Sequence, residues 1–506
     1  MTTIYKFRDC TVDSGRQELR RAGQPNKLEP RQFQVLLYLI EHRPGVVGRD
    51  ALRRDIWKVE AVTDDAIQYC ISSVRQAIGD QQPYSIIQTI RGTGYQFVAE
   101  VQVRTQPEED IDLHENNLFT ILQGEHFYDF LQDVYGYPLL TVSGRRYPVT
   151  VLDDTPQKIE RFYPHRPDPL LKKPATWTQE RRTLRDDLIG DETYKNLRNE
   201  ASERLGTRRI IPDPTYRMDR IVRGADGIEI HCDLGNYELT VDTAYYLKYE
   251  LATRLSEIPK WRTLRPRDVL QLLPKRYELR KAVPDAAVNG AHRSVSLAVS
   301  VLTCFQLAGQ WVIWVLRRSR GGVAVDSGTM HVIPAGMFTP EYRYFDAEFC
   351  LWHVIRREYV EELFNVHRPE HHGSYDWFYY HPYVQHLDAL LKDGKAQLWR
   401  TGVVIDMCNL KPEVTALLLI RDPNWHEQHA PHIKICEEYA PAEECERIYG
   451  HRSFAYVAPT PFQRRTDAEL QQAACMWPHD SVPPGAAAFW LGLKMLRHMD
   501  LSSNRT

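Results

Sequence analysis

Glu358, Glu361 and Glu362 stand at i, i+3 and i+4 in the stretch Arg357–Phe364, REYVEELF, so on a helix their three carboxylates share one face. Three like charges this close repel unless something neutralises them. A hard divalent cation, Mg²⁺ or Mn²⁺, prefers carboxylate oxygens and would relieve the repulsion while bridging to the oxygens of a diphosphate. Arg357 can hold Glu358 in place by a charge-assisted hydrogen bond. The plainer alternative is a solvated helix face on which Arg356 and Arg357 pair with the glutamates.

A second set of chemically capable residues lies in Asp64–Gly79, DDAIQYCISSVRQAIG. Ile67, Ile71, Val74 and Ile78 recur at helical spacing and predict one apolar stripe facing a core. The remaining faces carry Gln68, Tyr69, Ser72, Ser73, Arg75 and Gln76, which can exchange hydrogen bonds with base edges or phosphates in a major groove. Gly79 ends the helix, because glycine takes a left-handed conformation without a Cβ penalty. Behind it, Ile86–Ile90 and Tyr95–Val98 read as strands joined by Arg91-Gly92-Thr93-Gly94. That hairpin places Arg91, Thr93 and Tyr95 where a phosphate backbone or minor groove could be met.

Other elements must position these groups. Phe33, Leu36, Leu37 and Ile40 predict a first helix, and Ala51, Leu52 and Ile56 a second that begins near Arg49-Asp50. Helix, helix, recognition helix and wing then follow one another, with a strand region near Tyr5–Leu28 in front. Ser294–Leu316 contains no charged residue and is long enough to cross a bilayer. Its alternation of Val295, Leu297, Val299 and Val301 with Ser296, Ala298 and Ser300, and the break at Leu307–Gln310, predict two strands and a turn instead.

Two resemblances attach to these residues. Phe33 to Phe97, with VTDDAIQYCISSVRQAIGD and TIRGTGYQF, resembles the winged-helix output domain of OmpR-type regulators, in the N-terminal placement of CadC-like ones. This implies double-stranded DNA as partner, and the modest basic excess of this part of the chain predicts a homodimer or several sites. Arg357–Phe364 resembles the REUxEE core of the Nudix box, Pro334-Ala335-Gly336 its preceding turn, and the strands from Val295 the sheet that enters it. By that resemblance Glu358, Glu361 and Glu362 are metal ligands and Arg357 the orienting arginine, with a nucleotide-diphosphate compound as ligand or substrate. The chain departs from the box in its glycine-to-glutamate spacing before Arg357, and Phe364 stands where the later glycine belongs.

The chain has 506 residues and a formal net charge of −3. Residues 1–104 carry 15 Lys and Arg against 12 Asp and Glu, a net of +3, which leaves −6 elsewhere. So modest a basic excess predicts few, placed phosphate contacts. Nine cysteines without a CxxC pair read as reduced, mostly buried thiols. The N-terminus has no export signal. His367, His371, His372 and His381 lack the spacing of a zinc site, and no nucleophile elbow or phosphate-binding loop exists.

The expectation is an α+β multidomain chain: winged helix-turn-helix at 1–104, linker at 105–115, a mixed α/β region at 116–290, a Nudix-like α/β/α sandwich at 291–460 and a C-terminal helical segment at 461–506. It predicts a cytoplasmic DNA-binding transcriptional regulator whose Nudix-like part senses a nucleotide-derived ligand. A metal-dependent pyrophosphohydrolase fused to a DNA-binding domain, and a membrane-anchored sensor using Ser294–Leu316, are the alternatives.

Overall fold

The computed structural model describes residues 2–499 apart from 14–17, 22–23, 27, 58–62, 107–116, 160–167, 178–212, 225–226, 308–309, 320–322, 324, 341–343, 368–374, 437 and 441–464. The chain forms two units, Met1–Leu113 and His114–Thr506.

In the first unit, β1 (Thr2–Phe7), β2 (Cys10–Asp13), β3 (Glu18–Arg21) and β4 (Gln24–Asn26) form an antiparallel meander. Helix α1 (Pro30–Glu41) follows, opened by Pro30 and by a reciprocal cap between Glu29 and Gln32. Strand β5 (Val46–Gly48) leads into α2 (Arg49–Leu52), which continues through one wider turn at Arg53–Trp57. Helix α3 (Asp64–Ile78) starts where the Thr63 hydroxyl accepts the Ala66 N–H. It ends at Gly79, φ 71°, with Gly79 N–H bonded to Gln76 O and Asp80 N–H to Arg75 O, the two bonds of a Schellman stop. β6 (Ile87–Ile90) and β7 (Gly94–Phe97) form the hairpin, and β5 pairs with β7. There a Cβ on Gly94 would lie 2.0 Å from the Val47 carbonyl oxygen, so only glycine lets the strands approach.

Ile67, Ile71, Val74 and Ile78 are buried as their spacing predicts, against Phe33, Leu36 and Ile40 of α1, whereas Leu37 is only partly covered. Strand β8 (Gln102–Gln106) pairs with β1, so the sheet runs two residues beyond the expected boundary at 104. The rest of the expected linker lies outside the described residues.

The second unit corrects the expected division at 290/291. Its eight-stranded sheet takes β9 (Leu139–Val142), β10 (Arg145–Asp153) and β11 (Gln157–Lys158) from the region before that boundary. Separate from it, β12 (Leu171–Lys172), β13 (Pro214–Gly224) and β14 (Gly227–Asn236) form a three-stranded sheet. The large sheet continues with β15 (Ala298–Leu307) and β16 (Gln310–Ile313), while β17 (Val315–Arg317) and β18 (Met330–Val332) pair with each other. It is completed by β19 (Ala335–Met337), β20 (Ala396–Asp406) and β21 (Lys411–Ile420), in the order β16-β15-β21-β20-β10-β9 with β19 on β15 and β11 on β20.

β10 therefore pairs with β20 across more than two hundred residues of sequence, a partnership that local patterning leaves open. β21 is buried along its whole length. Val414, Ala416, Leu418 and Ile420 enter one core with the helix Leu351–Phe364, and Leu417 and Leu419 another with the helix Pro483–His498. The residues assigned to a separate C-terminal segment thus cover one face of this sheet. Within Ser294–Leu316, β15 and β16 pair as expected, residues 308–309 between them lie outside the described residues, and Val315 and Leu316 belong to β17; among the described residues no helix is long and apolar enough to cross a membrane. The charged stretch 181–206 lies outside the described residues.

Ile71 is 1% exposed and Tyr69 71%. Ile71→Ala is expected to lower the opening free energy of α3, measured by amide hydrogen exchange, by about 2–5 kcal/mol. Tyr69→Ala should change it by no more than about 0.5 kcal/mol.

Candidate nucleic-acid interface

Helix α3 exposes Asp64, Asp65, Ala66, Gln68, Tyr69, Ser72 and Gln76. Ser73 is half-buried and its hydroxyl donates to Tyr69 O at 3.1 Å. At the helix start, Arg53 donates to Asp50 at 2.6 Å and also pairs with Asp64, to which Arg49 lies at 3.9 Å. Such exposed pairs contribute at most about 1 kcal/mol each. They offset the charge of Asp64, one of the two acidic residues that open the helix.

Two residues expected at the interface lie inside instead. Arg75 is 8% exposed. Its Nε and one Nη donate to Ile87 O at 3.1 and 2.7 Å, the same Nη reaches Thr89 Oγ1 at 2.9 Å, and the guanidinium lies 3.7 Å from the centre of the Tyr84 ring. It is a brace between helix and hairpin. Tyr95 is 3% exposed, opposite Thr89 in the hairpin, with the Arg49 guanidinium 5.9 Å from its ring. Strand alternation turns Tyr95 inward, and the long arginine side chain folds back to a carbonyl that would otherwise be buried unpaired.

Asp80 is a structural residue that sequence reasoning passed over. Its carboxylate is 5% exposed and accepts the N–H groups of Ser85, Ile86 and Ile87 at 2.8, 3.1 and 2.8 Å. The signal was the Gly79-Asp80 pair before a proline-bearing loop, a common turn initiator. Arg91, Gly92 and Thr93 are exposed at the hairpin tip, and among the described residues nothing pairs with the Arg91 guanidinium. Cys70 is buried under α3, which pushes its thiol up to about 11 and leaves it protonated near neutrality.

The glutamate helix Leu351–Phe364 forms as expected, but its carboxylates turn to protein partners. Arg357 donates to Thr339 O at 2.7 Å, Met337 O at 2.9 Å and Glu358 Oε1 at 2.7 Å, with its Nε 3.7 Å from Glu361. Glu362 accepts the Ala335 N–H at 2.7 Å and the Tyr439 hydroxyl at 3.2 Å. Burial pushes all three carboxyls up, Glu361 to about 8 against the pull of Arg357. Among the described residues no group of three acids, histidines or cysteines could hold a metal ion. Glu358, Glu361 and Glu362, the residues expected as Mg²⁺ or Mn²⁺ ligands, each face a protein partner here. Glu348 is buried 3.5 Å from His353. His367 bonds Asn365 and His381 caps the helix Pro382–Lys392, while His371 and His372 lie outside the described residues.

Residues 23–97 match the family described as "Transcriptional regulatory protein, C terminal". Over 100 residues the chain is 30% identical to the transcriptional activator CadC of Escherichia coli K12, covering 19% of this chain and 20% of that protein. Over 94 residues it is 28% identical to the uncharacterized transcriptional regulatory protein YkoG of Bacillus subtilis, covering 18% and 41%. The chain thus spans 20% to 41% of these relatives' length. Among solved structures it is similar to the Klebsiella pneumoniae RstA DNA-binding domain in complex with RstA box, at 26% identity, 19% and 96% coverage and a TM-score of 0.18. The DNA-binding domain of E. coli CadC matches at 27% identity, 20% and 94% coverage and a TM-score of 0.18.

Arg75→Ala strands the Ile87 carbonyl and should destabilise the first unit by about 1–3 kcal/mol in hydrogen exchange. Glu361 gives a pH signature. Its folded value of about 8 lies above the ordinary 4.5, so its contribution is full below pH 4.5 and is lost as pH rises to about 8. Glu361→Gln is expected to flatten that decline in the second unit's thermal midpoint, and an unaltered decline would refute the assignment.

Proposed function

We propose, from a first unit of the OmpR/PhoB winged-helix type, that this protein is a transcriptional regulator that docks α3 in a major groove of double-stranded DNA and rests the Arg91 hairpin on the adjacent backbone. The observation that carries this is the pairing of an exposed polar helix face, Gln68 to Gln76, with an exposed arginine at the tip of a hairpin braced against the same helix. The net +3 of residues 1–104 supports binding by two heads together, as a homodimer on paired half-sites, since one head offers few phosphate contacts.

The second unit is the part that receives a signal. The nucleotide-diphosphate class of ligand is supported by the resemblance of Arg357–Phe364 to a diphosphate-handling box and by the Arg357–Glu358 contact that the resemblance implies. Binding there would regulate DNA affinity by altering how two heads are spaced.

Fluorescence anisotropy on selected duplexes tests the DNA role. Arg91→Ala should weaken binding to all sequences and lower the salt slope by about 1, whereas Gln68→Ala should change sequence preference. Unchanged binding by both variants would overturn the assigned head. The ligand role is tested by thermal shift against ADP-ribose, NAD, dinucleoside polyphosphates and nucleotide sugars, with and without Mg²⁺ or Mn²⁺. A raised midpoint without product supports a sensor, a raised midpoint with product supports a hydrolase, and no shift with any compound removes this ligand class.

A further inference from the structure

The exposed face of α3 carries no cation. Arg75, the one basic residue of the helix, is folded inward onto Ile87 and Thr89, and the acidic pair Asp64 and Asp65 opens the helix. At the centre of this face stands Tyr69, 71% exposed, with no partner for its ring or hydroxyl among the described residues. Its helical neighbours are Ala66 at i−3, Asp65 at i−4, Ser72 at i+3 and Ser73 at i+4. None of the four is large enough to cover the ring, and Ser73 spends its hydroxyl on the helix backbone. The face therefore presents one projecting aromatic ring together with two amide side chains, Gln68 and Gln76.

These side chains select among base pairs by elementary chemistry. In the major groove guanine offers two acceptors, best met by the guanidinium or ammonium that this face lacks. Adenine offers an acceptor and a donor side by side, which a glutamine amide matches, and thymine offers a C5-methyl group, the one apolar feature of the groove. An aromatic ring exposed to water gains most by covering that methyl.

Building on the DNA-binding reading above, we propose that Tyr69 is a specificity-determining residue: its ring packs against a thymine methyl, and the head selects A·T pairs at the centre of its half-site. Gln68 and Gln76 supply the adenine contacts. The hydroxyl of Tyr69 is dispensable for this discrimination, which belongs to the ring.

The test uses the full chain and duplexes enriched from a random library by the wild-type protein. Each thymine of the enriched site is replaced singly by deoxyuridine, which removes only the methyl. The wild type should lose about three- to fivefold in affinity at one position of each half-site, the worth of one buried methyl. Tyr69→Ala should bind the thymine and deoxyuridine duplexes equally, and Tyr69→Phe should keep the wild-type difference. An enriched core of G·C pairs, a wild type indifferent to every deoxyuridine, or a Tyr69→Ala variant that still discriminates would each overturn the proposal. Loss of discrimination in Tyr69→Phe would assign the contact to the hydroxyl and overturn it too. Failure to enrich any duplex would instead remove the DNA-binding reading itself.

Discussion

The guanidinium of Arg75 and the carboxylate of Asp80 fix the hairpin to the helix it accompanies. Arg75 closes on Ile87 O and Thr89 Oγ1, and Asp80 gathers the N–H groups of Ser85, Ile86 and Ile87, so β6 begins at a set distance from the end of α3. Both side chains are almost fully buried, so each charge has left water and depends on these partners. For the proposed docking of a helix and a hairpin on adjacent parts of one duplex, the two need a rigid relation to each other. Two ionic side chains supply it, and the exposed face is left to Gln68, Tyr69, Ser72 and Gln76.

A different use of charge organises the second unit. Its large sheet is covered on both faces, yet it carries Asp406, Lys411 and Glu413, all buried. Lys411 pairs with Glu413 at 3.2 Å, Ser300 donates to the same carboxylate, and Lys248 pairs with Asp326. Burial pushes Asp406 up to about 6 despite Lys248. Arg357 with Glu358 extends the same pattern to the helix Leu351–Phe364, where Glu362 is held by the Ala335 N–H and the Tyr439 hydroxyl. Charges withdrawn from water in this way are stable only as complete sets, and breaking one pair costs more than the pair contributes. Each of the three glutamates thus has a protein partner.

Legibility differed between the units because the deciding contacts differ in range. In the first unit the apolar stripe of α3, the glycine stop and the hairpin turn are local signals, and each element formed where its pattern lay. Asp80 was missed because its role depends on the loop returning to it. In the second unit strands such as β13, β14 and β15 were legible from alternation, whereas the joining of β10 to β20 and the covering of β21 by Pro483–His498 were not. Those contacts link residues with hundreds of positions between them, and no period within a segment records its partner.

The sequence by itself determined the winged-helix unit, the polar character of the exposed face of α3, the strand character of Ser294–Leu316 and the helical alignment of Glu358, Glu361 and Glu362. These follow from local periodicity and turn chemistry, which act over a few residues. Only the tertiary structure decided where long side chains end. It folded Arg75 and Tyr95 inward, left Tyr69 and Arg91 exposed, turned the three glutamates to Arg357, Ala335 and Tyr439, and merged regions that composition had divided into one sheet. The physical reason is that a charged or aromatic side chain spans several ångströms and settles on the partner that compensates its burial, and that partner is set by the fold and not by its neighbours in sequence.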